Sequence, residues 1–291
     1  MRHFLLVTAL SVVIAGCGMA GYGPPVDRSR IVSTASTPDG RLGVFSHHRL
    51  VYRPASGWRA FPDGGIPRYV KDIDLLGILD MQTGDVRVVS REKNREFQPG
   101  QGEYYVSHVS DGKAVITRGG QLRSGTASFV SENFMLDLAT GVMEPLPLKD
   151  ELASHGRGLA YFYLVDSLGT LVFVTPPLGA DTNYVDKESN PKGIWIRHPD
   201  GRYEKAADAI HYYPTSDGLV HYFSTDHRYL VYDPATGGSR IPPGRYPPTW
   251  DGDNIHNLAV SPDDPDRLSI VVHRGDDWEY RDAGVEVGAL Y

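Results

Sequence analysis

Beyond residue 30 the apolar positions come in short runs rich in Val, Ile, Tyr and Phe, each bounded by Gly, Pro, Asp or Asn. That is the pattern of β-strands separated by turns. The 3.6-residue apolar spacing of an amphipathic helix is missing; only Lys149 to His155 and Glu204 to Ile210 offer a helical turn or two. The amino end has another character. Met1-Arg2-His3 precedes an apolar run from Phe4 to Ile14, interrupted only by Thr8 and Ser11, and small residues follow. A basic start, an apolar stretch and small residues form a secretory signal peptide, and the run falls short of the ~20 residues that span a bilayer.

Two turn elements repeat. One is a small polar turn with Asp, and usually Gly, before a strand: Thr37-Pro38-Asp39-Gly40, Ser110-Asp111-Gly112, Asp166-Ser167-Leu168-Gly169, Ser216-Asp217-Gly218 and Ser261-Pro262-Asp263-Asp264. The other is a strand running into a Gly turn and out again, as in Ile78 to Asp85, Leu136 to Gly141, Ile196 to Gly201 and Val231 to Gly237. In such turns Asp accepts hydrogen bonds from backbone amides and Gly takes the positive φ that closes a hairpin. From Ser110 onward the first element recurs roughly every 50 residues, the scale of one four-stranded propeller blade with its loops. The combination of a Ser/Thr-Pro-Asp-Gly turn, a strand and a Leu-Asp-x-x-Thr-Gly hairpin resembles the TolB-type and tryptophan-aspartate-like β-propeller repeats over most of residues 36 to 285. The resemblance implies an all-β chain, a β-propeller of about six four-stranded blades, with five or seven also open. The strand and turn pattern alone is equally open to a β-sandwich or a two-domain β-protein. Stacked blades should be apolar on both faces. The alternating tail from Ala283 to Tyr291, or the segment near Ile31-Val32, is expected to complete a blade begun at the opposite end of the chain.

The sequence Ile14-Ala15-Gly16-Cys17 resembles the lipobox of bacterial lipoproteins, in which the cysteine is lipidated and the peptide is cut before it. The resemblance implies a signal peptide over 1–16, a lipidated Cys17 and Gly/Pro-rich flexible tether over 17–30, and a β-propeller domain over 31–291. It also implies membrane attachment through N-terminal acyl chains, and Gly18 after the cysteine implies the outer membrane, facing the periplasm. Cys17 is the one cysteine of the 291 residues, which leaves no thiol for disulfides, metal or nucleophilic chemistry once it is lipidated. With 29 Lys and Arg against 36 Asp and Glu, for a net charge of −7, the composition speaks against a nucleic-acid partner.

Enzyme templates give little: the sequence has no Gly-x-Ser-x-Gly elbow, Gly-rich phosphate loop or His-Glu-x-x-His helix. Asp251-Gly252-Asp253-Asn254 opens like a calcium loop but has His256 and Pro262 where the loop's Gly and bidentate Glu would stand. His47 and His48 are adjacent on an expected strand and therefore point to opposite faces, poor geometry for one metal ion. No metal, catalytic residue or cofactor is expected. A polar segment carrying Arg, often after His, follows the second strand of several expected blades: His47-His48-Arg49, Arg118, His227-Arg228 and His273-Arg274. If these emerge at one end, they make a cationic rim, joined by Arg123 and by Asp181, Tyr184 and Asp186 of the long connection Thr175 to Gly193. A long insertion in a repeat maps to the binding face. The favoured reading of the same arginines is as locks between neighbouring strands, since a motif present in several blades is better explained by blade architecture than by one site. The resulting expectation is a non-catalytic binding platform for an envelope protein, peptide or glycan. A periplasmic hydrolase or lyase working at the propeller funnel and a structural envelope component are the alternatives, since fold does not decide function.

Overall fold

The computed structural model describes residues 21–56, 65–123, 129–158, 162–177, 192–209, 211–214, 219–234, 236–242, 255–274 and 277–291. Of these, 129, 162–164, 211–214, 255–257, 272–274 and 277–278 are described by backbone alone. The described residues are overwhelmingly β. The chain enters through two short strands, β1 (Gly21–Tyr22) and β2 (Val26–Asp27). Sheet 1 follows, made of β3 (Arg30–Ser36), β4 (Leu42–Arg53), β6 (Arg68–Asp80) and β7 (Val86–Lys93), with the short β5 (Ala55–Ser56) between β4 and β6. Sheet 2 is β8 (Glu103–Val109), β9 (Lys113–Gln121), β10 (Phe129–Asp137) and β11 (Met143–Leu146). The helix α1 (Leu148–Ser154) leads to sheet 3, β12 (Phe162–Val165), β13 (Leu171–Thr175), β14 (Lys192–Arg197) and β15 (Tyr203–Ala209). Sheet 4 is β16 (His211–Pro214), β17 (Val220–Phe223), β18 (Tyr229–Asp233) and β19 (Gly238–Arg240). Sheet 5 is β20 (Ile255–Val260), β21 (Arg267–Arg274) and β22 (Asp277–Glu286). Each sheet is an antiparallel meander in chain order.

The turn chemistry explains why the chain reverses where it does. Asp80 Oδ1 accepts the amides of Gln82 and Thr83 while Gly84 sits at φ 78°. Asp137 accepts the amide and hydroxyl of Thr140 with Gly141 at φ 75°. Asp166 and Asp200 act likewise ahead of Thr170 and Arg202. At Ser110 the serine hydroxyl rather than Asp111 accepts the Lys113 amide. A meander places the connections of first to second and third to fourth strands at one end, so these turns share one end of the molecule. The longer connections share the other.

Burial follows the strand alternation in both directions at once. Val44, Leu76 and Ile78 of sheet 1 pack with Tyr104, Ala114, Ile116 and Leu136 of sheet 2. Their neighbours Phe45, Leu75 and Leu79 pack with Leu258, Leu268 and Val285 of the carboxy-terminal sheet and with Val287 of the 3-10 turn after it. Val115 of sheet 2 turns the other way, onto Val165, Leu171 and Phe173 of sheet 3, where Leu148 and Leu152 of α1 complete the core. Val172, Val174, Ile194 and Ile196 then meet Val220, Tyr222 and Tyr232 of sheet 4. Sheets thus stack face to face in the order 5, 1, 2, 3, 4, which accounts for strands that are apolar on both faces. Each large side chain removed from water in these cores contributes about 1.5–3 kcal/mol.

Five sheets of three or more strands and the two-stranded β1–β5 pair stand among the described residues. Three expectations change. The tail does not complete a blade from the opposite end: β22 pairs within sheet 5 and β3 within sheet 1. The two termini meet face to face instead, with Tyr291 inserted beside His47. Of the expected helical turn at 204–210, residues 204–209 are strand, because β15 pairs along β14, and Ile210 lies outside the described residues; α1 does form where a helical turn is expected. Finally, part of the segment read as a tether is paired: Gly21↔Ser56, Tyr22↔Ala55, Val26↔Tyr52 and Asp27↔Val51. The signal peptide and Cys17 lie outside the described residues.

Candidate functional site

At the end where the longer connections emerge, a cleft of about 560 Å3 opens beside the first strands of sheets 1 and 2. Arg30, at the start of β3, stands on one side, and Gln101, Tyr105, Thr117, Gln121 and Ser131 supply amides and hydroxyls. Gly119 and Gly120 leave backbone bare along its wall. Gly120 is required sterically: a Cβ there would lie 2.9 Å from the Gln101 Cβ and from the Gly102 nitrogen.

Beneath Glu103, which also lines the cleft, runs a chain of alternating charges joining the two sheets. His48, buried on β4, donates from Nδ1 to Glu103 Oε1 at 2.8 Å and from Nε2 to Asp72 Oδ1 at 2.9 Å. Glu103 also accepts Arg30 at 3.1 Å and the Tyr105 hydroxyl at 2.9 Å. Asp72 accepts Arg123 and the Asn94 amide, each at 3.2 Å. Burial alone would push the imidazole down; the hydrogen bonds to Asp72 and Glu103, with the charge of Asp74, outweigh it and raise His48 to about 9. Burial likewise favours a neutral Glu103, but the bonds from His48 and Tyr105 and the Arg30 charge hold it below the usual carboxylate range. The group is an ionised, hydrogen-bonded network in which both imidazole nitrogens are already given away. With both N–H groups engaged and the ring protonated, His48 offers no lone pair to take a proton.

Asp74, two residues along β6, is 1% exposed, and neither carboxylate oxygen has a hydrogen-bond partner among the described residues. Arg118 lies 3.9 Å away. Burial, opposed by the charges of His48 and Arg118, raises Asp74 to about 7. The Arg118 guanidinium is held over the rings of Phe97 and Tyr104, and its Nε donates to the Gly102 carbonyl at 2.9 Å. His47 faces the other way, bonded at 2.7 Å to both the Tyr291 hydroxyl and Asp266, and burial holds it below its ordinary value. The two adjacent histidines therefore serve opposite inter-sheet seams. Among the described residues no cluster of three His, Cys, Asp or Glu side chains is arranged to hold a metal ion.

The sequence-derived rim divides accordingly. His48, Arg118 and Arg123 come together around Asp72 and Asp74. His48, Arg49 and Arg118 lie inside strands, not in connections, because β4 runs to twelve residues and β9 to nine. Arg49 sits over the Tyr291 ring at 5.1 Å. His227 and Arg228 occupy the turn between β17 and β18, the second and third strands of sheet 4; they are not among the residues lining the cleft, and Arg228 pairs with Asp226. His273 and Arg274 end β21, with side chains outside the described residues, and Asp181, Tyr184 and Asp186 also lie outside them. Sequence reasoning missed Arg30, Asp72, Asp74, Glu103 and Tyr105. The available signal was Asp72 and Asp74 flanking Ile73 at the start of the apolar run to Leu79, since carboxylates there must find partners.

No protein-family model matches the chain, and no curated protein matches it in sequence. Solved structures resembling it include the tricorn protease, at 8% identity and TM-score 0.38, covering 74% of this chain and 26% of that one. An oligogalacturonate lyase in complex with manganese is 14% identical at TM-score 0.36, covering 79% and 58%. The β-propeller domain of the Trilobed protease from Pyrococcus furiosus, described as having an open velcro topology, is 10% identical at TM-score 0.35, covering 87% and 81%. The chain thus spans about a quarter of the tricorn protease and somewhat over half of that lyase.

Proposed function

We propose that this is a lipid-anchored β-propeller of the bacterial envelope that binds, without transforming, a polar ligand such as a glycan at the cleft between sheets 1 and 2. The observation that carries the reading is the locked floor: Glu103 is fixed by Arg30, Tyr105 and His48, and His48 by Asp72, so the cleft presents a carboxylate acceptor and the Arg30 guanidinium in set positions. Pre-set polar groups in a concave site favour recognition, because no ordering cost falls at binding. The remaining Arg30 donors, the Gln101 and Gln121 side chains and the exposed Tyr105 ring suit hydroxyl- and carboxylate-bearing saccharides. Titration calorimetry with a panel of envelope glycan fragments tests it. One fragment should bind, and Arg30→Ala should weaken it about tenfold or more, the usual loss for a charged hydrogen bond. Turnover of any fragment by the wild-type protein replaces this reading with a hydrolase or lyase. Binding indifferent to Arg30→Ala moves the site elsewhere.

A further inference from the structure

Sheet 1 does not stop where its neighbours stop. The pairing of β3 on β4 begins at Arg30↔His48 and that of β7 on β6 at Lys93↔Ile73, yet β4 and β6 continue together to Arg53↔Arg68. Along the outer edge of this extension the incoming chain is zipped by β2 on β4 and β1 on β5, with the Gly23 amide on the Pro54 carbonyl at 2.8 Å and the Arg28 amide on Leu50 at 2.9 Å. The result is a three-stranded arm whose residues 50 to 56 project roughly 20 Å at the rise of a β-strand. It leaves from the same end as the cleft.

No described residue of the arm is buried, and Arg68 to Lys71 are exposed throughout. Ile66 is 85% exposed and Val70 51%, with Tyr69 also exposed beside Tyr52. Four cations, Arg28, Arg53, Arg68 and Lys71, are exposed against one exposed carboxylate on the described arm, Asp27, which is occupied by Ser29. None of the four forms an ion pair among the described residues. Arg53 and Arg68 are direct cross-strand partners, so two like charges face each other on one side of the ladder. Such a pair opposes folding unless an anion lies between or beside the two side chains. This cationic, aromatic and aliphatic surface belongs to a protein of net charge −7. The strand nearest the expected lipid, Gly21–Tyr22, sits at the outer part of the arm, only four residues from Cys17, which can span at most ~14 Å.

We infer that the arm is a membrane-surface dock: its basic side chains engage anionic lipid headgroups, while Ile66, Tyr69 and Val70 enter the interface. The inference rests on the proposed anchoring at Cys17. Basic groups at an anionic leaflet and aromatic or aliphatic groups at its boundary add to an acyl anchor in the way that two-signal attachment requires. An anionic surface also relieves the Arg53–Arg68 opposition, which nothing within the described protein does. The dock holds the end bearing the cleft toward the bilayer.

The test uses the full acylated protein reconstituted in vesicles of phosphatidylcholine with about 30% phosphatidylglycerol, a content on the order that gives an anionic leaflet its surface potential. An environment-sensitive probe is placed at Ile66→Cys, the one free thiol once Cys17 is acylated, and at Val142→Cys in the opposite-end turn as a control. At Ile66 the emission should shift to the blue and be quenched by nitroxide-bearing lipid. Both effects should fall in 0.5 M salt, a screening length of only ~4 Å, and in the Arg53→Glu/Arg68→Glu/Lys71→Glu variant; Val142 should report water throughout. Protein that floats with the vesicles while the Ile66 probe stays as aqueous as Val142 overturns the dock and leaves the anchor standing. Protein that does not float overturns the anchor, and the dock with it.

Discussion

His48 gives the sharpest energetic test of how sheets 1 and 2 are joined. Its folded value of about 9, against an ordinary 6.5, is worth about 3 kcal/mol of stability while both folded and unfolded chains hold the proton. The sign follows from a raised value on a base. The contribution is complete below pH 6.5, declines as the pH climbs, and is gone once the pH passes about 9. His48→Gln keeps side-chain amide donors but no charge, and it leaves Asp72 and Glu103 with one cation fewer. At pH 6 it should cost about 3 kcal/mol, or roughly 6–12 °C in melting temperature for a domain of this size. At pH 9.5 the gap between variant and wild type should close to a small fraction of that. Calorimetric or circular-dichroism melts at half-unit steps from pH 6 to 10 measure both curves. Equal melting temperatures at pH 6, or a gap that persists undiminished at pH 9.5, would refute the assignment of His48 as a buried imidazolium.

Asp74→Asn should raise stability at pH 8 by roughly 1–4 kcal/mol, because a carboxyl lifted to about 7 costs stability as the pH rises from the ordinary 3.8 through 7; at pH 4 the two proteins should melt together, and an Asn variant that is less stable at pH 8 contradicts this. His108, pushed down to about 4 by burial while its Nδ1 accepts the Val165 amide at 3.1 Å, should produce a loss of stability as the pH falls from 6.5 toward 4. Replacement by Asn should flatten that acid limb in the same melts. Gly77→Ala should destabilise by about 1–3 kcal/mol through overpacking, since a Cβ there would stand 2.5 Å from the Phe45 ring; chemical denaturation would show no change in midpoint if the ring can move aside.

The fold was readable because its information is local. Asp80, Asp137 and Asp166 act within two to four residues of themselves, so a hairpin declares itself in a short window of sequence. The role of the tail was not readable, since it depends on which strands share a ladder. The alternating Ala283 to Tyr291 tail looks like a spare edge strand, but part of it is already paired in β22, and the rest is packed through Val287, Leu290 and Tyr291 against sheet 1. Alternation records that one face is buried and is silent on whether a neighbouring sheet or a neighbouring strand buries it.

Charge shows the same division between local and long-range information. The His47-His48-Arg49 triplet reads in sequence as the polar end of a strand, yet it lies within a twelve-residue strand, and His47 and His48 are both buried. Its partners, Glu103 and Asp266, are 55 and 219 residues away. Burying these imidazoles is tolerable because each is hydrogen-bonded across a seam, and a pairing of that range leaves no mark in a sequence window. The net charge of −7 is a sum over the whole chain. It hides Arg28, Arg53, Arg68 and Lys71, which antiparallel register and the returning amino-terminal segment gather on one projecting arm. A field is felt over about a Debye length, roughly 8–10 Å, so a partner approaching the arm meets those four cations rather than the acidic average of the protein.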